Sequence, residues 1–161
     1  MASCRWLLAS APVREQAKTD WETKGVAWLR PGLLYAAVTI PAGIIHAAVG
    51  VATVQECAEP LAEVLGEGPL FYEAQGFGSE DSYTALVLSW VAQIATPAGM
   101  VLHPPRALLQ VPAPDVTEPN EGLFWVVPMN SPGLLVPFDR LVPLVTLGRE
   151  RLGSQEVEVG E

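Results

Sequence analysis

The sequence predicts an α+β fold: one domain with a mixed or antiparallel-rich sheet flanked by helices. Three observations lead to it. Leu33–Ile40 is an apolar run bounded by Pro31-Gly32 and Pro41, the pattern of a strand buried on both faces and therefore lying mid-sheet. Amphipathic helical stretches precede and follow that strand. Short apolar runs separated by Gly- and Pro-rich links then come in pairs, which suits hairpins better than parallel crossovers.

Taken in order, Ser10 and Pro12 open the first helix, the serine as cap and the proline in the first turn. Val13, Ala17 and Trp21 share its apolar face, and Gly25 ends it in a left-handed cap. After the central strand, Gly43–Val49 is helical with a stripe of Ile44, Ile45, Ala48 and Val49, closed by Gly50. Thr53 to Glu56 has capping-box spacing, and Val54, Cys57, Leu61, Val64 and Leu65 continue an apolar face. Pro60 should break that helix, leaving Pro60–Leu65 as a separate turn.

Leu70–Ala74 and Tyr83–Ser89 read as strands joined by the loop QGFGSEDS. Trp90–Ala95 is a helical turn, and Met100–His103, Ala107–Val111 and Leu123–Val127 are short strands with prolines at their ends. Asp139 caps a final helix from Arg140, with Pro143 in the first turn. The domain is expected over residues 1–152, and residues 153–161 form a flexible acidic tail.

The chain has 161 residues, half of them hydrophobic, which is enough for an ordinary core. Nine Lys and Arg stand against 18 Asp and Glu, a net charge of −9. Phosphate-backbone binding needs clustered cations, so the balance argues against a nucleic-acid groove. Abundant Ala, Val, Gly and Pro, with Arg preferred to Lys, hint at a bacterial source. Cys4 and Cys57 are too few for a disulfide framework or a zinc site. The apolar run WLLASA is shorter than the ~7–15 residues of a signal-peptide core, and no stretch approaches the ~20 residues of a membrane span. A cytoplasmic location without membrane contact is expected, with both thiols reduced.

Three stretches carry a family resemblance. They are Trp6–Ala11 with Trp21 one helix later, WLRPGLLYAAVTIPA over 28–42, and GPLFYEA followed by YTALVLS, ALLQVPAP and GLFWVVP. Together they resemble the N-terminal domain of bacterial bifunctional DNA primase/polymerase proteins, especially its small divergent relatives, across most of residues 5–147. The resemblance implies two acids at i and i+2 on the central strand, which would hold the divalent metals of nucleotidyl transfer. Tyr35–Ile40 contains none. It also implies a histidine after the strand that ends in prolines, whereas His103 lies before ALLQVPAP. What is implied is a degenerate domain without the metal site, and a fold can outlive its chemistry.

The leading expectation is therefore a non-catalytic binding or regulatory protein, without cofactor or metal, from a mobile-element or regulatory locus. Its partner would be another protein or a small ligand. The candidate binding residues are His103 and Arg106, held by Pro104-Pro105 in a rigid turn, and Trp125, one of two adjacent strand aromatics that point to opposite faces. One alternative is a hydrolase or transferase site near His103 and Arg106, using Asp115, Glu118 or Glu121, if that acidic loop folds back. A third reading is an acidic immunity-type protein mimicking a polyanion, although the acids are dispersed. His46 is read as a half-buried or exposed helical histidine and Cys57 as an inert buried thiol.

Overall fold

In the computed structural model, which describes residues 2–77, 80–120 and 122–159, an antiparallel sheet of five strands forms the middle layer. Its order is β5 (Val101–Leu102), β2 (Ala36–Pro41), β4 (Glu80–Val87), β3 (Leu70–Phe77), β7 (Leu123–Val127). β2 is flanked on both sides, as an apolar run of its kind requires, and Ala36, Ala37, Val38 and Ile40 are all buried. The fold is α+β, with helices on both faces.

Side-chain alternation divides the core in two. One face presents Ala36, Val38, Ile40, Tyr83, Ala85 and Val87, covered by α3 (Ala42–Val49), α4 (Val54–Val64) and α5 (Phe138–Val159). The other presents Tyr35, Ala37, Phe71, Leu86 and Trp125, covered by α1 (Ala2–Leu8), α2 (Arg14–Lys24) and a separate two-stranded ribbon of β1 (Val26–Leu29) and β6 (Leu109–Pro112). Indole donors pin the ribbon to its neighbours: Trp21 Nε1 donates to Val111 O and Trp125 Nε1 to Pro112 O, each at 3.0 Å.

Several elements differ from the sequence reading. α2 begins at Arg14 with no side-chain cap, because Ser10 Oγ is already committed to Leu7 O at 2.7 Å and to Tyr35 Oη at 2.9 Å. β2 starts at Ala36 rather than Leu33, since Gly32 N–H donates to Tyr35 O and closes a turn that leaves Leu33 95% exposed. α4 runs unbroken through Pro60; Cys57 and Leu61, buried on either side of it, hold both turns against the core. Thr53 does cap that helix, accepting from Glu56 N–H.

The β3–β4 hairpin extends into the stretch expected to be a loop, with a register irregularity between Glu73 and Phe77. The expected tip includes residues 78 and 79, which lie outside the described residues. The last two strands expected for one sheet are split, β6 pairing with β1 and β7 with β3. α5 starts earlier than Arg140, with Pro137 O accepting from Arg140 and Leu141 N–H, and it continues past Gly153 to Val159.

α3 and α5 cross at close quarters. A Cβ on Gly148 would stand 2.1 Å from Ile44 O, and Arg151 donates to the carbonyls of Ala47 and Ala48 at the end of α3. Gly148→Ala should therefore lower stability by roughly 1–3 kcal/mol, a fall of several degrees in melting temperature. Gly153→Ala, with nothing within 4 Å of the added carbon, is the control. Equal melting temperatures for the two variants would contradict the close crossing.

Candidate functional site

Three turns and a 3-10 turn meet at one end of the sheet. They are the α1–α2 link, the β1–β2 connection, the turn before β6 and Ser89–Gln93. Backbone bonds tie them together: Arg30 N–H donates to Ser10 O at 2.8 Å, and Arg106 N–H to Pro31 O at 3.0 Å. Beneath them Ser10 Oγ gives its proton to Leu7 O, so Tyr35 Oη donates to Ser10. Burial pushes the Tyr35 hydroxyl up to about 12, against the smaller opposing effect of the Ser10 bond. It stays a neutral, fixed strut at ordinary pH.

The junction leaves a cleft of about 760 Å³, a size suited to a ligand or a few partner side chains. Arg30 and Arg106 line it beside Leu33, Leu34 and Gln93, and among the described residues no carboxylate does. Neither guanidinium has an ion pair among the described residues. Arg106 has φ 71°, in the left-handed region that favours glycine. The backbone alone does not explain an arginine there, and such strain, worth roughly 1–3 kcal/mol, clusters at functional positions. The cleft can hold an anion and cover it with aliphatic surface.

Of the sequence candidates, Arg106 lies in this cleft. His103 lies just outside its lining, with its ring Nε2 bonded to Ala107 O at 3.0 Å and its N–H to Ala37 O. Its imidazole closes the HPPR turn. Trp125 is not at the surface: at 1% exposure it packs edge-on against Phe71 inside the core. The exposed tryptophans are Trp28 and Trp90.

The acidic loop does not fold back to His103. Arg106 adjoins Pro31 at one end of the β1–β6 ribbon, whereas Ala113, two residues before Asp115, bonds to Gly25 at the other. Glu121 lies outside the described residues. His103, Arg106 and these carboxylates are not assembled into one site.

The structure also gathers a polar cluster that sequence reasoning missed. His46 Nε2 and Tyr83 Oη are 2.8 Å apart, the Cys57 thiol is the second partner of Tyr83, and Tyr72 Oη donates to Asp81. With two partners, the Tyr83 oxygen can donate to one and accept from the other. His46, Tyr72 and Asp81 line a second cleft, of about 730 Å³, between the N-terminal ends of α3 and α4. The signal was strand alternation: Tyr72 and Tyr83 are register partners, so both rings meet the helix layer.

Burial drives the titration of these groups. It pushes the Tyr83, Tyr72 and Cys57 acids up, with the Cys57 contact adding to the effect at Tyr83 and Asp81 adding to it at Tyr72. Cys57 is wholly buried and held as the thiol, the opposite of what a nucleophile needs. No group of three or more metal-ligating side chains occurs among the described residues.

Burial lowers the His46 pKa, and Asp81 opposes this more weakly. A histidine with a depressed folded pKa binds fewer protons folded than unfolded. Its contribution to stability is full above the unfolded value of ~6.5 and declines as pH falls from there toward the folded value. Glu73, whose carboxyl burial pushes up, acts in the opposite sense closer to the carboxylate range. Melting temperature should thus fall between neutral pH and mildly acidic pH, and His46→Gln should flatten that slope. An unchanged slope in the variant would place the acid sensitivity elsewhere.

Searches of known protein families, curated proteins and solved structures find no match to this chain.

Proposed function

We propose that this chain is a non-catalytic binding module of the bacterial cytoplasm, built on a degenerate primase/polymerase-like domain, with another protein as its partner. One observation carries the reading. The i and i+2 positions of β2 on its helix-covered face are Ala36 and Val38, 3% and 0% exposed. A pair of metal-binding carboxylates there would be desolvated under the helix layer, at a cost of several kcal/mol per ion. The face is built as core.

The enzyme alternative needs His103 beside a carboxylate, and the described residues separate them along the ribbon. The polyanion-mimic alternative needs a dense acidic face, and the cleft does not supply one, its charged lining residues being Arg30 and Arg106. Among the described residues no helix is long and apolar enough to cross a membrane. Binding through the cleft needs neither metal nor cofactor.

Nucleotide incorporation on primed and unprimed templates, with magnesium or manganese, is expected to give nothing above background. Template-dependent product that disappears on substitution of a single acidic residue would overturn the reading.

A further inference from the structure

The β1–β6 ribbon turns one face to the core and the other outward. Ala27 and Leu29 are buried, while Trp28 between them is half exposed. The register sets Trp28 opposite Gln110 and Leu29 opposite Leu109. Period-two alternation then carries the outer face on to Arg30 in one strand direction and Leu108 in the other, and both residues are exposed. That end of the ribbon is the mouth of the arginine cleft.

The outer face of the ribbon, with Trp28 and Leu108, thus ends at the turns that carry Arg30, Arg106 and Leu33. Its charge is opposite to that of the molecule: two guanidiniums on adjoining turns, in a chain of net charge −9. A carboxylate at either guanidinium forms charge-assisted bonds, and the positive sign of the cleft favours an acidic segment over a neutral one. Tryptophan and arginine are also the residue types that most often carry binding energy at interfaces.

The geometry points to an acidic, aliphatic peptide segment of a partner protein as the occupant, its carboxylates on Arg30 and Arg106 and its aliphatic side chains on Leu33, Leu108 and Trp28. This deepens the binding-module reading and rests on it. A nucleic acid fits less well, since its affinity grows with the number of phosphates neutralised and the cleft offers two cations.

The test is selection of a displayed random-peptide library on the full chain, followed by titration of the recovered peptides. Peptides with two or more acidic residues beside Leu, Ile or Val are expected. Arg30→Glu/Arg106→Glu should weaken them by roughly tenfold or more, Trp28→Ala by a smaller factor, and added salt should weaken them further. Both arginines are exposed, so the double variant should keep the parent melting temperature. Recovery of neutral or basic peptides would overturn the inference, as would no enrichment over bare support or undiminished binding by the double variant. Binding of oligo(dT) that the same double variant loses would overturn it too. Failure of the selection leaves the absence of polymerase activity standing, because that is decided by nucleotide incorporation.

Discussion

Burying a strand on both faces obliges the rest of the chain to supply two covers, and β2 and β4 impose that demand together. Each apolar side chain fully withdrawn from water contributes about 1.5–3 kcal/mol, so leaving either face open would forfeit several such terms. The chain answers with α3, α4 and α5 on one side and α1, α2 and the β1–β6 ribbon on the other. The polar groups that remain between the layers are partnered hydroxyls, such as Thr39 and Thr84 at 3.2 Å, and the His46–Tyr83 pair. Ser82 Oγ alone is buried without a partner among the described residues.

The same demand decides where a ligand or partner can sit. The middle of the sheet is filled, so open space collects where one cover ends and a connection must turn. The arginine cleft is such a place, formed where the β1–β2 connection leaves the ribbon and enters the sheet. Its walls are turns held by backbone bonds and by the neutral Tyr35 strut, which gives them a fixed shape on a rigid scaffold. The second cleft, by His46 and Asp81, lies at the opposite cover, over the helix-facing side of the sheet.

Local chemistry was legible in the sequence and long-range pairing was not. Gly25 and Gly50 end their helices at φ 77° and 75°, and Thr53 caps α4, because each depends on a few adjacent residues. Ser10 misled because its hydroxyl serves Tyr35, 25 positions away, rather than the next helix. Pro60 misled because tertiary contacts at Cys57 and Leu61 outweigh the lost hydrogen bond. The ribbon was invisible: β1 meets β6 across some eighty residues of chain, and only that pairing brings Arg30 beside Arg106. Trp125 could have pointed to either face by alternation, and its indole bond to Pro112 fixes it inside.

The helix-covered face of β2, with Ala36 and Val38 at 3% and 0% exposure, is core rather than a vacant metal site. Denaturant unfolding of Val38→Asp measures this directly. An unpaired carboxylate at a wholly buried position should cost about 3 kcal/mol or more, leaving the variant unfolded or with a much lower midpoint at neutral pH. A variant that keeps the parent midpoint would show that the face accepts charge and water, and would contradict the reading of it as core.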